Sequence, residues 1–338
     1  MRLSALIEEF VIDCRSRRLS PKTVSWYQAN LRYFLDWLLA HDELDALHAF
    51  TLVNARRYSQ DLAERGARQG TFVGGASQRG VYAFIETDVP LTANTITGYL
   101  RTLKTFSRSL AAEEQGYTSR DLLAGLRLPK RPQTHQEPLT PDEMGQVLAG
   151  YDLRHPIAMR DFAILLTYLG TGLRATELTN LLLDVVHLAE GYLRVRSGKG
   201  NKTRAVNLPP EVARAILRYQ QHYRPQSDDP HVFLTRTGTA LSYNAIKLVL
   251  RRARRRSGIE RLHAHLLRHS FSVSALTDGM DLMTLKETLG HTDIRTTSRY
   301  LAMAEQQLIE QQRKVNPLAR VTLPKTVRKP MRRPEDEN

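Results

Sequence analysis

Along the first part of the chain, apolar residues recur at spacings of three and four, and that period reads as helix. Val24, Tyr27, Leu31, Phe34, Leu35 and Leu38 form one such face. Ser20-Pro21 ahead of them supplies an N-cap followed by proline at the first helical position. A second helix is predicted from about Phe50 to Arg65. A third begins near Thr92 and buries Ile96, Tyr99, Leu103, Phe106 and Leu110. Its other side carries Arg101, Lys104 and Arg108, a basic stripe able to track phosphates, although such stripes are commonly just solvated faces. Between the second and third helices, "RGARQGTFVGGASQRG" holds five glycines from Gly66 to Gly80. Glycine density opposes helix, so a mobile loop or small insertion is expected, within a Gly-rich segment 66–90.

The period stops at "RLPKRPQTHQEPLTPDEM", where Pro129, Pro132 and Pro138 stand among polar residues. This reads as an interdomain linker, 129–138, after a helical domain 1–128. Helix restarts at "LTPDEM", with Thr140 as N-cap and Pro141, Asp142 and Glu143 in the first turn. In "GYLRVRSGKGNKTRAVNLP" the pattern switches to alternation on both sides of Ser-Gly-Lys-Gly-Asn, which predicts a hairpin with Lys199 in its turn. "HVFLTRTGTALS" predicts a smaller one. A second domain over 139–318 is thus expected, and the whole chain reads as mainly α with small β-hairpins. The segment 303–321 keeps a near-helical spacing at Leu308, Ile309 and Val315, suited to docking on its own domain or on a neighbouring protomer. The last residues, 319–338, have prolines and no period, and are expected to be a disordered basic arm.

Charge narrows the partners. The 49 Lys and Arg outnumber 35 Asp and Glu, for a net charge of +14, which favours a polyanion, most commonly nucleic acid. An anionic membrane surface is the competing partner, but no apolar run approaches the ~18 residues a spanning helix needs. "MRLSALIEEFVIDC" carries acids inside its apolar stretch and no small-residue cleavage site, so no signal peptide is expected. Cys14, the one cysteine, has no internal disulfide partner. A reducing compartment follows, cytoplasmic and nucleoid-associated.

Four stretches of the second domain bear groups with chemical potential. In "YLGTGLRATEL" an apolar helix stops at a Gly-x-Gly break and Arg174 falls just beyond it, with Glu177 placed to pin its guanidinium. Alone, that pair reads as structural. Lys199 lies between two glycines; turn lysines are ordinarily exposed charge, yet one delivered into a cleft near other cations becomes a competent proton donor. In "HAHLLRHS", His265 and Arg268 share a helix face. His265 and His269 have zinc-like spacing, but the Glu of an HExxH motif is missing and no third ligand lies near, so no metal site is expected. In "LGHTDIRTTSRY", Gly290 closes a helix ahead of His291, and Tyr300 follows a polar run that offers little core to pack against. Together these supply two arginines, a lysine and two histidines around a tyrosine. Cationic donors stabilise a pentacovalent phosphorane, and a tyrosine phenol, ordinarily titrating near ~10, is a usable nucleophile beside cations. The combination implies phosphodiester cleavage through a covalent phosphotyrosine.

With "TGLRATEL", "GKG", "HLLRHSFS" and "LGHTDIRTTSRY" in this order, the second domain resembles the catalytic domain of the tyrosine recombinase (phage integrase) family, over about Leu139 to Leu318. The first domain resembles, more loosely, the family's helical core-binding domain through "SPKTVSWYQANLRYFLDWL". The resemblance implies a mixed α and β-hairpin catalytic domain and a DNA strand-breaking and rejoining enzyme that needs neither metal nor high-energy cofactor. By it, Arg174, Arg268 and His291 would hold the scissile phosphate, His265 would assist proton transfer, and Lys199 would protonate the leaving 5′-hydroxyl. Tyr300 would attack to give a 3′-phosphotyrosyl bond, and Glu177 would support Arg174. The implied partner is double-stranded DNA with specific recombination sites, clamped in a tetramer of this chain or of this chain with a partner recombinase; no membrane is involved. Some arginines of "RRARRR", namely Arg251, Arg252, Arg254 and Arg255, are expected to contact phosphates. Two departures stand out: "LRATEL" replaces a commoner apolar-Ser pair, and 66–80 exceeds the short connection usual there. The size, with no room for a further amino-terminal arm-binding domain, fits Xer-like or mobile-element recombinases. Monomeric relaxation of the type IB topoisomerase kind and a catalytically idle DNA-binding scaffold are the alternatives. A metal-dependent transposase is disfavoured by the absence of a carboxylate triad.

Overall fold

The computed structural model describes residues 1–64, 66–73, 81–112, 116–130, 136–196, 203–298, 300, 301 and 309. The chain divides into two compact units, Met1–Thr134 and His135–Asn338.

In the first unit, α1 (Leu3–Ser16), α2 (Pro21–Ala40), α3 (Leu52–Glu64) and α4 (Ala93–Leu110) pack around one core. The Ser20 hydroxyl, the predicted cap, accepts from the Thr23 amide at 3.1 Å, and the Thr92 hydroxyl from the Thr95 amide at 3.3 Å, so both satisfy backbone donors that helices leave open. Phe34 meets Phe50 and Tyr58 edge-on, with centroids 5.7 and 5.1 Å apart. The buried Asn30 amide donates to Thr102 Oγ1 at 3.2 Å, tying α2 to α4.

Within the segment expected as a mobile loop or small insertion, residues 66–73 form a strand, β1 (Gly66–Val73), paired antiparallel with β2 (Val81–Pro90), while 74–80 lie outside the described residues. Its register pairs Phe72 with Tyr82 and Val73 with Val81, with an irregularity between Gly66 and Arg68. The β-branched and aromatic content of "TFV" and "VYAFI" outweighs the glycines, which concentrate toward the segment between the strands.

The second unit runs α5 (Pro141–Leu148), α6 (Pro156–Thr171), α7 (Ala175–Thr179), β3 (Val186–His187), β4 (Tyr192–Arg196), β5 (Thr203–Asn207), α8 (Pro210–His222), α9 (Tyr243–Ser257), α10 (Ala264–Thr277), α11 (Leu282–Leu289) and α12 (Arg295–Ser298). A reciprocal capping box between Thr140 and Glu143 starts α5. Helix α6 packs on α8 and α10, burying Ile164, Leu165 and Tyr168 with Ile216, Tyr219 and Leu267. Strands β4 and β5 form the predicted hairpin, with β3 added on the β4 edge, and alternate residues Leu193, Val195 and Val206 face the core. The second predicted hairpin is reduced to one isolated bridge, Leu234 with Ala240, while His231 bridges instead to Leu182. A smaller cluster of Val273, Leu276, Leu285 and Leu289 joins α10 to α11. The expected C-terminal helix and tail lie outside the described residues, apart from Ile309. Among the described residues, no helix is long and apolar enough to cross a membrane.

Candidate active site

The site is built on two helix ends that glycine makes possible. Helix α6 closes on Gly172 at φ +60°, and a Cβ there would stand 2.3 Å from the Phe271 ring of α10. This break turns the chain directly into Arg174, the N-cap of α7. Helix α11 closes on Gly290 at φ +63°, which delivers His291 immediately after its last carbonyls.

Those carbonyls have no helical partners, and arginines take three in succession. Arg204 Nε donates to Thr288 O at 2.7 Å, Arg268 Nη2 to Leu289 O at 2.7 Å and Arg174 Nη2 to Gly290 O at 3.0 Å. Cations are favoured at a helix C-terminus by its partial negative charge. Glu177 supplies the counter-charge. Its Oε1 accepts from Arg174 Nη1 at 2.8 Å and Arg204 Nη1 at 3.0 Å, and its Oε2 from the Arg174 amide at 2.9 Å and Arg204 Nη2 at 2.8 Å. Arg268 Nη1 approaches Oε2 at 3.9 Å. Burial alone would raise the Glu177 carboxyl; the hydrogen bonds from Arg204 and the Arg174 amide, with the charge of Arg204, outweigh it and hold the group down at about 2. Burial, then the like charge of Arg174, draws the Arg268 guanidinium down to about 10, which leaves it charged at neutral pH.

Arg268, buried in α10, also donates to Gly172 O at 2.6 Å and to His291 Nε2 at 3.1 Å. A guanidinium only donates, so Nε2 is the acceptor and the His291 proton sits on Nδ1, donating to Thr297 Oγ1 at 2.8 Å. Arg174, His265, Arg268 and His291 line one cleft of about 350 Å³, together with Tyr243 and Thr296. His265 is exposed there, one residue inside α10. His269 faces elsewhere, donating Nε2 to Gln136 O at 2.7 Å. Lys199 lies outside the described residues.

Tyr300 stands apart from the cleft lining. It is 0 % exposed, packed with Val273, Leu276, Leu285 and Leu289, and its ring centroid is 5.3 Å from that of His269. The polar run before it had argued against a core position. That argument fails because the pocket for Tyr300 is built by α10 and α11, not by its own short helix.

The matching family model is described as the phage integrase family and covers residues 137–307, half of the chain. Tyrosine recombinase XerD of Lacticaseibacillus casei is 34% identical over 322 residues, 93% of this chain and 99% of that protein. Tyrosine recombinase XerD of Listeria monocytogenes serotype 4b is 29% identical over 324 residues, 94% and 100% of the two. The chain belongs to the phage integrase family. It is a tyrosine-type site-specific recombinase, an enzyme that breaks and rejoins DNA strands. Its fold is also that of the Tn1549 transposon integrase solved with transposon right end DNA, with a TM-score of 0.65 at 17% identity over 92% of this chain and 99% of that one. The family match contains the whole cleft and Tyr300.

Arg204 and Thr297 escaped sequence reasoning. Arg204 left a signal: in β5 it alternates in phase with the buried Val206, so an arginine sits on the inward face and requires a carboxylate. Thr297 left none, being one hydroxyl among several in a polar run.

The expected DNA-contact arginines and lysine divide. Arg101 and Arg108 are exposed on α4 and border a groove of about 1050 Å³ with Lys22, Trp26, Tyr33 and Tyr99. Lys104 lines the same groove, and its ammonium donates to the carbonyls of Leu123, Ala124 and Leu126 at 3.1, 3.2 and 3.0 Å, closing a turn. On α9, Arg251 and Arg255 are exposed. Arg252 is instead paired with the buried Asp161 at 2.7 Å, and Arg254 donates to Leu262 O at 2.9 Å. The Arg252 side chain nevertheless stays 40 % exposed, so its pair with Asp161 fixes it without withdrawing it from solvent.

Proposed function

We propose that the chain acts on duplex DNA at specific sites through a 3′-phosphotyrosyl intermediate, with Tyr300 as the nucleophile. One observation carries this reading: Arg174, Arg268, His265 and His291 converge on a single cleft, with Arg174 fixed from behind by Glu177 and Gly290 O and Arg268 by Leu289 O and Gly172 O. Donors held in place before the substrate arrives stabilise developing phosphorane charge without reorganising. The phenol oxygen of Tyr300 bonds to phosphorus and the bond to the 5′-oxygen breaks. His265 takes the proton that the phenol loses, and Lys199 gives a proton to the departing 5′-oxygen. Rejoining reverses these steps on a new 5′-hydroxyl. Tyr300, buried at rest, leaves its apolar pocket to reach phosphorus.

Arg101 and Arg108 of α4, and Arg251 and Arg255 of α9, are placed on exposed faces suited to phosphates. Pairwise strand exchange requires a tetramer, of this chain alone or with a partner recombinase, and the work belongs in the cytoplasm at the nucleoid. The test uses nicked duplexes of randomised sequence in EDTA, with covalent adducts recovered and sequenced. Wild-type protein is expected to form adducts enriched in one site, and Tyr300→Phe to form none. An adduct that survives Tyr300→Phe, or that needs added metal, refutes the mechanism.

A further inference from the structure

We infer that Arg204 is a positioning residue of the active site, one that sets the register of the Arg174–Arg268 pair without touching the phosphate. The inference rests on the reading that this cleft is where the phosphodiester is cleaved.

Arg204 is fully committed to protein groups. Its planar fork gives Nη1 and Nη2 to the two oxygens of Glu177 at 3.0 and 2.8 Å, while Nε reaches Thr288 O at 2.7 Å. Its side chain is 12 % exposed, against 39 % for Arg174, and it is absent from the cleft lining. It therefore offers nothing to a substrate. What it joins is informative: β5 through its own backbone, the start of α7 through Glu177 and the end of α11 through Thr288. Arg174 hangs from Glu177 and Gly290 O, and Arg268 from Leu289 O and Gly172 O with Glu177 Oε2 3.9 Å away. A shift of α11 against α7 would thus move both phosphate-binding guanidinium groups and His291, and Arg204 is the cross-brace that opposes the shift. Gly290 belongs to the same device, since a Cβ there would stand 2.9 Å from Arg204 Nη1.

Lysine retains the charge but brings a single ammonium in place of a fork, and cannot serve both Glu177 oxygens and Thr288 O together. The experiment compares wild type, Arg204→Lys, Glu177→Gln and the double variant on the nicked duplex that wild-type protein captures from the randomised pool. It reads single-turnover cleavage and equilibrium binding of that duplex separately, with thermal melting alongside. The expected result is unchanged duplex affinity and cleavage slowed roughly a hundred-fold in Arg204→Lys, the scale of a small misplacement at a reacting centre. Because the brace acts through Glu177, the loss is expected to shrink in the Glu177→Gln background. Cleavage at the wild-type rate overturns the inference. So does a cleavage loss matched by an equal loss of affinity, a loss fully additive with Glu177→Gln, or a variant that no longer melts cooperatively. Failure of the wild-type protein to form any adduct strikes the proposed function itself, and is read before any variant is compared.

Discussion

Glu177→Gln removes one charge and almost no volume from the centre of the arginine cluster, which makes it a sharp test of what holds the second unit together. The Glu177 side chain is 9 % exposed, and its partners Arg204 and Arg268 are 12 % and 4 % exposed. Breaking a buried pair by removing one partner costs about 3–5 kcal/mol, since the remaining charge stays desolvated. The titration of Glu177 gives an independent figure. Its carboxyl falls from the ordinary 4.5 to about 2 on folding, which corresponds to roughly 3 kcal/mol at neutral pH. The group is depressed in the folded state, so its contribution is complete above pH 4.5 and is lost as pH falls through about 2. In a unit of this size the melting temperature should drop by roughly 6–20 °C at neutral pH. Both tryptophans, Trp26 and Trp37, lie in the first unit, so tryptophan fluorescence reports that unit while far-ultraviolet circular dichroism reports both. Glu177→Gln is expected to lower the dichroism transition and leave the fluorescence transition in place. The gap from wild type should be constant down to about pH 5 and close progressively below it. Equal melting of the two proteins, or a gap that persists unchanged at acid pH, would refute the assignment of Glu177 as a buried, ionised counter-charge.

Gly290→Ala forces a residue with a side chain into the left-handed region and against Arg204 Nη1; a stability loss of at least ~1–2 kcal/mol, read by urea unfolding, is expected together with slower cleavage. Arg101→Ala and Lys104→Ala should behave differently although they lie three residues apart. The slope of log affinity against log salt is expected to fall by about one for Arg101→Ala and to stay put for Lys104→Ala, which instead lowers the melting temperature. Lys199→Ala is expected to slow adduct formation on an ordinary duplex, and to cleave normally when sulfur replaces the bridging 5′-oxygen, because a thiolate departs without a proton.

The helices and the β4–β5 pair were legible because their signals are local: capping residues at Ser20 and Thr140, the apolar period of three and four, and alternation on either side of the turn. The strand over 66–73 was not read because glycine count was weighed over the strand-forming residues between the glycines. Arg174, His265, Arg268 and His291 could be picked out because spacing within each motif is a property of sequence. Their assembly could not, since it depends on where α6 and α11 end in space. Lys104, Arg252 and Arg254 show the same limit from the other side. A charge on a helix surface is indistinguishable in sequence from one whose acceptor is a carbonyl or carboxylate brought in by folding. Arg204 lay between the two cases, detectable by phase but not by motif.

The placement of Tyr300 adds an energetic constraint to the proposed chemistry. Leaving a wholly buried pocket forfeits about 1.5–3 kcal/mol for a side chain of this size, and loss of the ring contact with His269 adds about 0.5–1.5 kcal/mol. At about 1.4 kcal/mol per factor of ten, the attacking arrangement would be rarer than the buried one by roughly one and a half to three orders of magnitude in the free protein. DNA binding has to repay that difference. The link is already present in α12, where Thr297 accepts the His291 proton three residues before Tyr300. A phosphate that engages His291 competes for the group that holds α12 down, so seating the substrate and freeing the nucleophile draw on the same hydrogen bond. In the proposed mechanism, cleavage without a correctly seated phosphate would thereby be disfavoured, which suits an enzyme whose misplaced strand breaks would be costly.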